Sequence, residues 1–137
     1  MHTFAYMAIS IAWLTVLSAC SMQQRTDTRD LGEGAVLSLT LQPFPLLVGQ
    51  SADIYATLRY QRAAGTGCRV QYRQFAVDAG ATDTVWRDIP EQSRSGIYKI
   101  RGLDFNREGR WRFEFNLECG EQLVRRGVVF DYAVAPE

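Results

Sequence analysis

Histidine is all but missing from this chain, the single one being His2. No imidazole elsewhere can activate a serine or cysteine or hold zinc, which excludes Ser-His, Cys-His and His-ligated metal chemistry from the rest of the sequence. Methionine is nearly as scarce, with Met22 the last of three. No Cys-x-x-Cys spacing, phosphate-binding loop or dinucleotide fingerprint occurs. An excess of charge of one sign is lacking too. The 15 basic residues balance 15 acidic ones, so neither nucleic acid nor an anionic lipid surface is an expected partner. Lys99 is the only lysine, and the other basic residues are arginine. The apolar stretch from Phe4 to Ala19 is interrupted by Ser10, Thr15 and Ser18. It falls short of the roughly 20 residues that a spanning helix needs.

That stretch has the length of a signal h-region, and it runs into Leu17-Ser18-Ala19-Cys20. Small residues before a thiol at this place resemble a bacterial lipobox. The resemblance implies removal of residues 1–19 as a signal peptide and acylation of Cys20, where two or more chains make anchoring stable. Ser21 follows the cysteine rather than Asp, which by analogy with Gram-negative sorting implies the outer membrane, facing the periplasm. An uncleaved N-terminal anchor is the other reading. Residues 20–34 are polar and charged without an aromatic, and read as a flexible tether. The remainder, 35–137, is one domain long.

Three cysteines in an oxidising compartment would leave one unpaired. Lipidation removes Cys20 and leaves Cys68 and Cys119, for which a disulfide is the default. A redox or metal-binding thiol pair is the alternative, with no histidine near either residue.

From Ala35 onward the apolar residues recur every second position. Leu37, Leu39 and Leu41 share a face, and Gln42-Pro43-Phe44-Pro45 ends the run because proline cannot donate to a ladder. Ala52 to Tyr60, Cys68 to Tyr72, Arg110 to Glu118 and Val128 to Val134 alternate in the same way, and Thr84 to Ile89 is a weaker segment. Between Gly96 and Phe105 the apolar phase changes at Gly102, from Tyr98 and Ile100 to Leu103 and Phe105. One inserted residue is the signature of a β-bulge. About seven short antiparallel strands without a helix predict an all-β, immunoglobulin-like β-sandwich, with a small closed barrel as runner-up.

Cys68 and Cys119 both lie on the apolar phase of their strands, which suggests a register. If the strands are antiparallel neighbours, Val70 meets Leu117 and Tyr72 meets Phe115 inside, while Arg69 meets Glu118 and Arg73 meets Glu114 outside. The same register puts Gln74 against Phe113. A disulfide across the two sheets is the alternative.

Gly96-Ile97-Tyr98, Phe105 and Gly109-Arg110-Trp111 resemble the YtkA-like or FixH-like family, and Pro45 to Gly49 resembles its approach to the second strand. These are small periplasmic or membrane-tethered β-sandwiches with a Gly-x-Tyr strand followed by Gly-x-Trp. The resemblance covers about half of the domain and implies a link to cytochrome oxidase assembly and copper handling, where Met and His supply ligands. Here the sequence departs from the pattern: its only histidine is His2 in the signal, and Met22 is the only methionine beyond residue 19.

Two further clusters are candidates. Asp78, Asp83, Asp88 and Glu91 could pair as catalytic carboxylates, although acids clustered between strands ordinarily form a solvated loop. Arg69, Arg73, Arg110, Arg112 and Arg125 could form an anion-binding or partner-binding face, unless Glu114, Glu118 and Asp131 neutralise it. The expectation is a protein that is not an enzyme, with no cofactor, metal or catalytic residue. It would be held to the membrane through acylated Cys20 and would bind or scaffold another envelope protein. Cys20→Ser is expected to abolish palmitate labelling and detergent partitioning; unchanged labelling would refute the lipobox.

Overall fold

The structure, a computed structural model, describes residues 23–82 and 84–137; the signal peptide and the lipidation site Cys20 lie outside the described residues. Ten strands are found there. They are β1 (Arg25–Gly32), β2 (Ala35–Gln42), β3 (Leu46–Leu47), β4 (Ala52–Tyr60) and β5 (Ala63–Ala64), then β6 (Arg69–Ala76), β7 (Arg87–Asp88), β8 (Ile97–Leu103), β9 (Gly109–Cys119) and β10 (Leu123–Ala135). They form two sheets. The first runs β1-β2-β4-β5, with β8 also pairing β4, and the second runs β3-β10-β9-β6-β7. Stacked face to face, they make the β-sandwich that the alternation predicts.

Seven of the strands are long, though they are not the seven that the sequence marks. Thr84 to Ile89 contributes only the two residues of β7. In its place β1 emerges from the stretch read as a tether, so the boundary at residue 34 is corrected: order in the domain extends through Arg25–Gly32. Hydrophobic periodicity could not reveal β1, because it buries no apolar face. Backbone pairing to β2 over Arg25↔Leu41 to Gly32↔Ala35 holds it. Hydroxyl pairs add to this, Thr26 with Thr40 at 2.7 Å and Thr28 with Ser38 at 2.9 Å. One pairing is parallel, β3 with the end of β10.

Elsewhere the alternation is realised residue by residue. β2 buries Ala35, Leu37, Leu39 and Leu41; β4 buries Ala52, Ile54, Ala56 and Leu58; β9 buries Trp111, Phe113, Phe115 and Leu117. The aromatic rings of the core meet edge to face, Phe105 on Trp111 at 5.3 Å, Phe115 on Phe130 at 5.8 Å and Phe113 on Tyr132 at 6.0 Å. Such contacts add about 0.5–1.5 kcal/mol each beyond area burial. The bulge is also present. The β4–β8 register slips between Ala52 and Ile54, and Gly102, at φ +64°, donates its N–H to Asp53 Oδ1 at 2.9 Å.

The β6–β9 register is the one inferred from the cysteines. Arg69↔Glu118, Val70↔Leu117, Tyr72↔Phe115, Arg73↔Glu114 and Gln74↔Phe113 are all paired. Cys68 and Cys119 close it as a disulfide between neighbouring strands, Cα atoms 4.4 Å apart and 51 residues apart in sequence. Closing a loop of that length removes about 4 kcal/mol of unfolded-chain entropy on the usual polymer argument.

Trp111 is buried, its Nε1–H donating to the Arg107 carbonyl at 3.0 Å. Trp111→Ala is expected to cost about 3–5 kcal/mol and leave the domain close to unfolded. Gln122→Ala, on an exposed turn, should stay within about 0.5 kcal/mol of wild type. Urea denaturation followed by circular dichroism compares the two, and a Trp111→Ala midpoint matching that of Gln122→Ala would contradict the core assignment.

Candidate functional site

The predicted acidic cluster does not assemble. Asp78 pairs with Arg107, Asp88 lies 3.3 Å from Arg69, and Asp83 lies outside the described residues. Glu91 has a structural task, since its two carboxylate oxygens accept the Gly67 N–H at 2.8 Å and the Gly96 N–H at 2.9 Å. Among the described residues no three of His, Cys, Asp and Glu come together in a way that could hold a metal ion.

Gly96 and Tyr98 act in the same joint. Gly96 has φ +75°, and a Cβ there would stand 2.8 Å from the Leu58 carbonyl oxygen. Only glycine allows that approach. Tyr98 is fully buried; its hydroxyl donates to the Gly65 carbonyl at 2.9 Å and accepts from the Cys68 N–H at 3.0 Å. Burial pushes the phenol pKa up, so it remains a donor. The Gly-x-Tyr pair thus ties the first sheet to the loop that delivers Cys68, and belongs to the scaffold.

The arginine face is neutralised. Arg73 meets Glu114 at 2.8 Å, and Arg110 and Arg112 converge on Asp131 at 2.5 and 2.8 Å. Arg125 donates to the Leu31 carbonyl at 2.6 Å, with Glu33 at 3.5 Å. Arg69 chooses Asp88 although Glu118 lies opposite it, and Glu118 takes Arg126 at 3.8 Å. The Arg112 hydrogen bond, followed by that of Arg110, holds the Asp131 carboxyl below its ordinary pKa.

What the sequence did not reveal is a cleft of about 400 Å³ on the side of the sandwich where β8 faces β6 and β7. Tyr72 and Gln74 form its floor, Thr84, Val85 and Arg87 one wall, and Gly102, Leu103 and Asp104 the other. β7 covers only Gln71 and Tyr72 of the β6 edge, so the strand is uncovered by β7 beyond that point. Val85, 72% exposed, is the most exposed large apolar side chain among the described residues. Burial raises the Tyr72 pKa against the opposing charge of Arg87, keeping a phenol donor in the cleft. Gln74 Oε1 is buried there without a hydrogen-bond partner. An unmet buried acceptor ordinarily costs about 1–3 kcal/mol. The signal in the sequence was the Gln74↔Phe113 mismatch, a polar residue on an apolar phase.

No family model matches the sequence, and no curated protein matches it. Solved structures do resemble the fold. FetP of uropathogenic Escherichia coli strain F11, in its as-isolated form, aligns with a TM-score of 0.51 at 11% identity, covering 81% of this chain and 95% of that one. A copper-bound variant of that FetP aligns with a TM-score of 0.50 at 11% identity, covering 81% and 92%. At this identity the likeness is one of fold.

The Asp131 cluster gives a pH dependence with a definite sign. A carboxyl whose folded pKa is depressed stabilises the fold above its unfolded pKa, and that contribution is lost as pH falls through the folded value. Asp131→Asn should therefore melt below wild type at neutral pH, with the gap closing at a pH below the ordinary carboxylate range. Thermal melts across that range test this, and a constant gap would contradict it.

Proposed function

We propose that this protein is a lipid-anchored β-sandwich of the cell envelope, held through acylated Cys20 on the periplasmic side of the outer membrane, and that it works as a non-enzymatic module that binds another envelope protein. The observation that carries the reading is the cleft between β6 and β8. It joins an exposed apolar lip at Val85 to a strand edge left open beyond Tyr72. An extended segment of a partner offers what such a cleft lacks, backbone groups for the open edge of β6 and an apolar side chain for Val85. The disulfide supports an oxidising compartment.

Copper handling or oxidase assembly is the other reading, raised by the YtkA-like or FixH-like resemblance and by the copper-bound FetP structure. The donor set does not fit. Both Cys68 and Cys119 are spent in the disulfide, the described residues include no His or Met, and their carboxylates are dispersed. Copper prefers imidazole, thiolate or thioether ligands, and none is free among the described residues.

A photo-crosslinking residue placed at Val85 in cells should give one discrete adduct, and the same residue at Val124, also exposed, should not. Asp introduced at Gln74 should weaken the Val85 adduct, since a carboxylate in the cleft floor changes what can dock. No adduct at Val85, or the same adducts at both positions, would overturn the reading. Stoichiometric copper bound by the purified chain would move it to the second.

A further inference from the structure

The geometry points to self-association: two copies of this chain pair antiparallel through the free edge of β1, with a two-fold axis at Thr28, so that Asp27 of each copy faces Arg29 of the other. β1 is terminal in its sheet and is paired on one side only, by β2. Its regular stretch before the bulge, Arg25 to Asp30, is long for an edge, and an edge strand presents N–H and C=O groups that its own sheet does not pair, although the Thr28 carbonyl accepts from Arg29 at 3.3 Å. A two-fold interface is self-complementary by construction, which makes a second copy the occupant that the strand's own sequence can test.

The charges discriminate between registers. With the axis perpendicular to the sheet, opposed residues must share a face, so the axis passes through a residue. Centred on Asp27, the pairing would set Asp27 against itself and Arg25 against Arg29. A centre at Arg29 opposes two guanidinium groups, and one at Asp30 opposes two carboxylates. With the axis at Thr26, Arg25 meets Asp27, but only Arg25 to Asp27 of the strand remains paired. The Thr28 centre keeps Thr26 to Asp30 in the ladder, opposes Asp27 to Arg29 twice, sets Thr26 against Asp30 and brings no like charges together, and it leaves outside the ladder Leu31, which lies at the bulge with its carbonyl taken by Arg125. Opposite charges directly across a strand pair attract, whereas like charges destabilise it.

The side chains are already placed for this. Asp27 and Arg29 lie on the inward side of β1, where Arg25 holds Asp27 at 3.0 Å and the Arg29 guanidinium lies 4.5 Å over the Phe130 ring. In the paired state Asp27 would sit between two guanidinium groups, one from each copy. Charges on an edge strand usually discourage pairing. Here they discourage every register but one of useful length, and so select it.

The test uses the intact chain in detergent. Thr28→Cys should form a covalent dimer under mild oxidation on a non-reducing gel, because the two Thr28 positions are directly opposed. Asp30→Cys alone should not, whereas a mixture of Thr26→Cys and Asp30→Cys chains should. In the Thr28→Cys background, Asp27→Arg should lower the crosslinking rate about tenfold by turning both attractive pairs repulsive. The swap Asp27→Arg with Arg29→Asp should restore it. Absence of the Thr28→Cys dimer, or a rate that ignores the Asp27→Arg change, would overturn the proposal. Failure of the Val85 adduct would leave it untouched, because the cleft lies at the opposite edge of the sandwich.

Discussion

The second sheet depends on which residue of β6 lies opposite which residue of β9. With Cys68 joined to Cys119 at one end, the antiparallel pairing counts off from there, and a slip of one residue would turn every side chain of β6 to the wrong face. In the register observed, Val70 and Tyr72 meet Leu117 and Phe115 in the core, while Arg73 meets Glu114 outside. Phe113 and Phe115 are thereby set to contact Tyr132 and Phe130 of β10. The register that satisfies these pairs also carries Gln74 inward against Phe113, where its carbonyl oxygen has no partner. The cleft floor follows from the same constraint that builds the core.

The two open sides of the sandwich are closed differently. On one side β1 lies beside β10, and the gap is filled by guanidinium groups over rings: Arg25 over Phe44 and Tyr132, Arg29 over Phe130. The Tyr132 hydroxyl is buried there beside Asp27, and burial together with that negative charge pushes its pKa up. On the other side the edge strand β7 is two residues long, and the chain before it leaves the cleft. A charged, ring-lined edge and an open, neutral cleft offer different chemistry to a partner, which is why the two proposals concern different surfaces.

The likeness to FetP is one of fold. A fold can be shared at 11% identity because a period-two alternation tolerates any apolar residue at inward positions. A metal site tolerates no such latitude, since it needs particular donor atoms at fixed distances. The Gly96 and Tyr98 motif behaves like the core: it fixes the loop before β6 through a close backbone approach and two hydrogen bonds. A resemblance carried by such residues speaks for a scaffold, and function lies in what is grafted on it.

By itself the sequence determined the strand phases and the bulge at Gly102, because each follows from a period-two pattern or from one inserted residue, and these are local. The sequence suggested the β6–β9 register from the inward phase of Cys68 and Cys119 and left a disulfide across the two sheets open, a choice the strand pairing then made. Only the tertiary structure decided what long-range geometry controls. β1 carries no apolar face, so nothing short of its backbone bonds to β2 could turn residues 25–32 from tether into strand. Arg69 and Glu118 are opposed in register, yet Arg69 pairs with Asp88, which β7 brings alongside. Glu91 looked like one acid among four until Gly67 and Gly96 converged on its two oxygens. A side chain's partner is set by every element within its reach, and a linear pattern of polarity holds only its own strand.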